Sequence, residues 1–204
     1  MFISFMLKAA LISLSGVLSP GPITALTVSK GTEHPLSGFY ISIGHSIVEL
    51  PLMILIMVGL DKYLQINWVR IVIGILGGLF LLKIGVGLLR NIFAAQIEQN
   101  NLNYTPIQSG VILTITNPYF LIWWATIGAM LINGAYQFGL IGVVLFMLIH
   151  LGCDFLWYIF LSTLTFKGGQ FFGQRLQQIL FAVCGLFLLF FSGKFIYEAI
   201  NIFF

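Results

Sequence analysis

Six long apolar runs, separated by short polar connections, dominate the hydrophobic pattern of this chain. A helix that crosses a bilayer needs roughly 20 predominantly apolar residues. Six segments meet that length: 3–29, 36–60, 66–90, 108–132, 139–164 and 177–200. A polar stretch over residues 93–107 separates the third segment from the fourth and is interpreted as a central loop. The pattern predicts an all-α integral membrane protein, with residues 1–204 forming a single membrane domain.

The composition supports the same conclusion. Hydrophobic residues make up 59% of the chain and charged residues 7%, and the mean hydropathy is +1.05. Since a soluble domain carries roughly 25% charged residues, the lipid bilayer is the expected surrounding. The net charge of +3 comes from too few residues to suggest nucleic acid as a partner. The first twenty residues resemble a signal peptide, but the motif that follows them belongs to a duplicated pattern, so we interpret them as part of the first span.

Three features of the first half of the chain return in the second half in the same order. "SPGP" in the first segment corresponds to "TNPY" in the fourth, and the run "GLFLL" occurs at 78–82 and again at 185–189. Between these features, each half has a His followed four residues later by an acid. The order predicts two repeats, 1–92 and 108–204. Because each repeat has three helices, the second copy enters the membrane from the opposite side, as in many secondary transporters.

Proline motifs predict breaks in helices 1 and 4. Proline removes a backbone donor and obstructs the preceding turn, but it suits the first position of a new helix. Ser19 and Asn117 are the expected N-caps of the restarted helices. The free N–H groups and positive dipole ends would then offer a site for an anion inside the membrane. The broken-helix motifs comprise Ser19, Pro20, Gly21, Pro22, Thr116, Asn117 and Pro118.

The His–acid pairs carry the candidate chemistry. Glu49 with His45, and Asp154 with His150, lie deep in the second and fifth segments, and a spacing of four residues places each pair on one helical face. Charged groups at this depth are costly and face the bundle interior or a cavity. Histidine titrates near neutral pH, so such a pair can bind substrate or pass a proton. A buried polar pair that only joins helices is the structural alternative.

Two further features receive structural interpretations. Trp123 and Trp124 follow the second break and are interpreted as packing residues, since their depth does not suit an interfacial belt. Several glycines of the third segment favour close packing between helices or between two copies of the chain. No cofactor, resident metal or disulfide is expected, because Cys153 and Cys184 both lie in apolar stretches.

The motifs "SPGP", "GHSIVELPL", "GLFLLKIGVGLLR" and "TNPYFLIWWATIG" together resemble the LysE family of amino-acid exporters. The form is similar to its archaeal and thermophile-type branch, which also shows a His–acid pair in the fifth span followed by "WY", here Trp157 and Tyr158. The resemblance covers nearly the whole chain. It implies a six-span plasma-membrane exporter of amino acids such as lysine, arginine, homoserine or threonine. The proline motifs are the family's signature positions.

Three hypotheses remain open from the sequence. The leading one is a proton-coupled exporter of a small zwitterion, an amino acid, whose carboxylate binds the half-helix N-termini and whose ammonium group faces Glu49 or Asp154. The alternative is an exporter of divalent cations, with His45, Glu49, His150 and Asp154 as a mixed nitrogen and oxygen site. An intramembrane hydrolase is the weakest, because the His-x3-Glu spacing lacks the second His of a metalloprotease helix. The chain is therefore expected not to be an enzyme.

Overall fold

The computed structural model describes residues 1–64, 66–90, 104–172 and 174–203, and regular structure in these ranges is entirely helical. A π-helical turn over Trp124–Gly128 lies between α7 and α8. The helices are α1 (Phe2–Val17), α2 (Pro22–Glu33), α3 (Ser37–Met57), α4 (Asp61–Leu64), α5 (Asn67–Arg90), α6 (Pro106–Ile115), α7 (Pro118–Trp123), α8 (Ala129–Tyr136), α9 (Gly139–Phe172) and α10 (Gln174–Phe203).

Five continuous helical stretches in the described ranges are long and apolar enough to cross a membrane. The bent pair of α1 and α2 makes a sixth span if it is counted as one. This architecture confirms the predicted all-α membrane protein. The five stretches are Ser37–Met57, Asn67–Arg90, Pro118–Tyr136, Gly139–Gly168 and Phe181–Ile202.

The first break bends the chain by 71° between α1 and α2. Two prolines separated by one glycine cause it, because each disfavours helical geometry in the residue before it. Gly21 accordingly has an extended backbone, with φ −151° and ψ −173°, and α2 starts at Pro22. The predicted break is therefore present, but Gly21 rather than Ser19 occupies the N-cap position. The helix begins at the second proline because Ser19 and Gly21 both precede a proline.

The second break separates α6 from α7 at Thr116 and Asn117. Here one proline acts alone, and Asn117, the residue before it, leaves the helical region with φ −89° and ψ 106°. α6 begins earlier than predicted because Thr105 and Gln108 form a capping box. Most of the predicted central loop, residues 93–103, lies outside the described residues. The stretch that follows the break continues to Tyr136, four residues beyond the predicted end at 132.

The last two helices are also longer than predicted. The sequence "FKGGQFFGQR" at 166–175 was expected to form a connection, but α9 continues through it to Phe172 and α10 begins at Gln174. That expectation was wrong because glycine weakens a helix by about 1 kcal/mol without forbidding it. In contrast, Gly139 has φ +74° and forms the sharp turn between α8 and α9.

Glycines set the helix pairs of the bundle. α5 runs antiparallel to α10, since Gly74 faces Ala199 while Gly85 faces Gly185. In α3, Gly44 lies so close to α6 that a Cβ there would overlap the carbonyl of Ile107. In the predicted repeat, the counterpart of this pair is the contact between α9 and α1. These close approaches fix the long helices around the two breaks, where the cavity lies.

Candidate functional site

Two side chains of α3 form the first half of the candidate site. His45 and Glu49 lie one helical turn apart, and the His45 Nε2 atom is 3.2 Å from the Glu49 Oε1 atom. Only 4% of His45 and 1% of Glu49 is exposed. The pair therefore faces the bundle interior, where a charge without a partner would be costly.

α9 supplies the other half. The His150 Nε2 atom is 3.3 Å from Glu49 Oε1 and 3.7 Å from Asp154 Oδ2. Both residues of α9 are as deeply buried as those of α3. Gly38 permits this approach, because a Cβ at that position would overlap the carbonyl of Tyr158 in α9. The structure thus brings the two His–acid pairs, which are 105 residues apart along the chain, into one cluster.

A fifth side chain, Trp124, joins the cluster. The sequence assigned this residue to packing, but its indole N–H donates to Glu49 Oε1 over 3.1 Å. Trp124 begins the π-helical turn, and such widened turns are frequent at functional sites. At the end of the turn, Gly128 lacks the side chain that would overlap the Trp124 ring. The signal in the sequence was the depth of a tryptophan whose N–H needs an acceptor away from water.

The Nδ1 atom of each imidazole contacts a hydroxyl of a broken helix. The Nδ1 atom of His45 lies 2.8 Å from Thr114 Oγ1 in α6, and the Nδ1 atom of His150 lies 2.8 Å from Ser13 Oγ in α1. Each His is thus held by the half of the chain to which it does not belong. Neither Thr114 nor Ser13 is among the site residues predicted from the sequence. A serine on the buried face of an apolar helix was the available signal.

The Thr114 contact fixes where one hydrogen of His45 lies. Thr114 Oγ1 donates to the carbonyl of Gly110 over 2.6 Å, so it accepts from the Nδ1–H of His45. The Nε2 atom of His45 then meets Glu49 Oε1 either as the N–H of an imidazolium or as the acceptor of a proton on Glu49. In both cases one transferable proton lies between the imidazole and the carboxylate.

Two carboxylate oxygens of the cluster have no hydrogen-bond partner among the described residues. They are Glu49 Oε2 and Asp154 Oδ2, both buried. A buried acceptor that is left unpaired costs about 1–3 kcal/mol, and more when it is charged. The site is therefore suited to a proton, an ammonium group or a metal ion at these two oxygens.

The two breaks present different helix ends to the same region. At the second break, Asn117 Oδ1 accepts from the backbone N–H of Tyr119 over 3.1 Å, which fills the cap as predicted. At the first break, Gly21 provides no side-chain cap to α2. The predicted cap, Ser19, instead donates to the Ser15 carbonyl and lies 3.2 Å from the hydroxyl of Tyr119. The first turn of α2 therefore keeps backbone donors available to a bound group.

One cavity connects these features. It encloses about 680 Å³ including the open space at its mouth. Both proline motifs, the His–acid cluster and part of the α5–α10 pair line it. Of the predicted broken-helix residues, Thr116 and Pro118 do not line the cavity: the exposed Thr116 hydroxyl donates to the Ile112 carbonyl, and the Pro118 ring packs against Gly77 of α5. The cavity-lining members of the predicted site are Ser19, Pro20, Gly21, Pro22, His45, Glu49, Asn117, His150 and Asp154.

Comparison with known proteins identifies a family. A family model described as LysE type translocator matches residues 14–199 of the chain. No curated protein and no solved structure matches it. The matched region extends from α1 to α10 and therefore includes both breaks and all four residues of the His–acid cluster.

Proposed function

The chain belongs to the LysE type translocator family and is a multi-pass membrane exporter rather than an enzyme, and from this premise we propose that it exports an amino acid in exchange for protons across the plasma membrane. The observation that carries the proposal is a pair of buried oxygens that accept no hydrogen bond from the described residues, Glu49 Oε2 and Asp154 Oδ2, in the cavity that the start of α2 also lines without a side-chain cap. An amino acid has the two charges that these features complement.

The carboxylate of the substrate binds at the start of α2. Gly21 leaves the first-turn N–H groups without a side-chain acceptor, and the helix dipole favours a negative group there. The ammonium group binds at Glu49 Oε2 and Asp154 Oδ2, where its N–H donors satisfy both acceptors. The second break does not compete for the carboxylate, because Asn117 already occupies its cap.

Proton exchange uses the bond between His45 and Glu49. Thr114 fixes the other end of the His45 imidazole, and Trp124 donates to the same oxygen of Glu49. When the ammonium group approaches, it stabilises the ionised carboxylate, so a proton held by Glu49 moves to an imidazole or leaves. Substrate and proton then compete for the same charge, which is the requirement for coupled antiport.

Alternating access follows from an inverted relationship between residues 1–92 and 108–204. Reciprocal contacts support this relationship: α3 packs on α6 as α9 packs on α1, and α5 pairs with α10. Each His is also held by a hydroxyl of the other half. Rocking one repeat against the other would open the cavity to each side of the membrane in turn.

The test is counterflow in liposomes with labelled amino acids under an imposed pH gradient. Glu49→Gln and Asp154→Asn should each reduce exchange at least about tenfold, because each removes a charge that the ammonium group requires. Glu198→Gln is the matched control, since Glu198 is half-exposed on α10 and pairs with Lys194 at 3.7 Å. Exchange that stays pH-dependent in the Glu49→Gln, Asp154→Asn double variant would refute the coupling.

One observation favours a divalent cation as a second candidate substrate. Ligand atoms of His45, Glu49 and Asp154 lie within 4.8 Å of one another. Zinc accepts imidazole and carboxylate ligands, and a metal-bound His commonly donates its other N–H to a fixed acceptor, as His45 does to Thr114. Metal analysis of purified protein after dialysis against Zn²⁺ or Mn²⁺ tests this candidate. Equal metal content in the wild type and in Asp154→Asn would count against it.

A further inference from the structure

One wall of the cavity is apolar. It consists of Leu81 from α5 and of Phe187, Leu188 and Phe191 from α10. Leu81 and Leu188 are almost fully buried in one hydrophobic cluster, and the Phe187 and Phe191 rings lie 4.5 Å apart. The two acids of the lining come from α3 and α9, whereas this apolar wall comes from α5 and α10.

In the proposed function, the start of α2 binds the carboxylate of the substrate and the two acids of the lining bind its ammonium group. The described lining contains two carboxylates, Glu49 and Asp154, and neither lysine nor arginine. Among the other acids whose side chains are described, Glu33 pairs with Lys30 at 3.1 Å and Glu198 pairs with Lys194 at 3.7 Å, both outside the lining. A charged substrate side chain that contacts the apolar wall would therefore have no counter-charge there.

We propose that the site selects amino acids with uncharged, apolar side chains over lysine and arginine. This inference rests on the proposed function, because it assumes that the backbone charges of the substrate occupy the start of α2 and the two acids. The side chain then contacts Phe187, Leu188 and Phe191. Burying a charge without a partner is far more costly than burying a methyl group of similar size.

Matched pairs of unlabelled competitors test the selection in counterflow. Norleucine and lysine differ by the terminal ammonium group, and leucine and aspartate have similar shapes but different charge. Norleucine should compete at a concentration at least about 100-fold lower than lysine, and leucine likewise against aspartate. Competition by lysine that equals or exceeds that of norleucine would overturn the inference while leaving amino-acid export intact. Absence of exchange for every amino acid would instead overturn the proposed function and this inference with it.

Two truncations on α10 locate the selection in the structure. Phe187 lines the cavity, whereas Phe190 is 66% exposed and does not line it. Phe187→Ala should weaken competition by leucine about tenfold, because the apolar contact is lost. Phe190→Ala should leave it unchanged. Equal effects of the two truncations in folded, exchanging protein would overturn the assignment of the apolar wall. Folded Phe187→Glu protein should show a smaller difference between the concentrations at which norleucine and lysine compete, because the new carboxylate supplies the missing counter-charge.

Discussion

The Nδ1 atom of His45 lies 2.8 Å from the hydroxyl of Thr114, and that hydroxyl donates its own hydrogen to the carbonyl of Gly110. The contact joins α3 to the first half of the second broken helix. It orients the imidazole so that Nε2 faces Glu49 at 3.2 Å. A residue with no contact to the acids therefore determines which nitrogen takes part in proton transfer.

Thr114→Val should remove this orientation with little change in shape. The buried Nδ1–H of His45 would lose its acceptor, which costs about 1–3 kcal/mol in stability. We expect lower exchange and a shifted pH profile of counterflow, because no acceptor then holds the hydrogen on Nδ1 and the imidazole is no longer fixed with Nε2 toward Glu49. Thr116→Val is the control, since the Thr116 hydroxyl is exposed and bonds only within α6. Identical pH profiles for Thr114→Val and the wild type would show that Thr114 has only a structural role.

Trp124→Phe should weaken the cluster by removing the N–H that donates to Glu49 Oε1. A hydrogen bond to a charged acceptor contributes roughly 1.5–3 kcal/mol, so we expect about a tenfold or greater loss of exchange under limiting substrate. The apolar ring remains, and packing is largely kept. Trp68→Phe is the matched control because Trp68 is 66% exposed. Initial rates of counterflow for the two variants, normalised to folded protein, provide the comparison.

Gly77→Ala should destabilise the protein, whereas Gly87→Ala should not. A Cβ at Gly77 would overlap the ring of Pro118, so the substitution forces α5 away from the second break. Overpacking of this kind costs typically about 1–3 kcal/mol. Gly87 has open space around its Cβ position, and alanine is the better helix former there. Thermal unfolding in detergent should show a lower midpoint for Gly77→Ala only, and a higher or equal midpoint for both would contradict the close contact.

The positions of most helices could be predicted from the sequence, because the bilayer imposes a minimum apolar length on every span. The breaks were also predictable, since proline disfavours helical geometry in the residue before it wherever it occurs. The ends of α9 and α10 were not, because glycine and a few polar residues weaken a helix without ending it. The N-cap of α2 was assigned wrongly to Ser19, since two prolines separated by one glycine made two starts compatible with the local sequence.

The residues of the candidate site could also be predicted only in part from the sequence. Glu49, His45, His150 and Asp154 were identified because charged groups are rare at this depth and because their spacing repeats. Trp124 and Ser13 were missed, since a tryptophan or a serine in an apolar helix has many structural uses. Only contacts between α1, α3, α9 and the π-helical turn distinguish these two from neighbours such as Trp123 and Ser15.

The sequence by itself determined the membrane setting, the helical class, the two breaks and the residues with titratable chemistry, because local composition and spacing control each of these. The tertiary structure alone decided that both His–acid pairs meet at one oxygen of Glu49, and that one break is capped while the other is open. It also decided that residues of α5 and α10 give the cavity an apolar wall. These relationships depend on the packing of helices a hundred residues apart, where glycine contacts set the distance, and no local pattern encodes that distance.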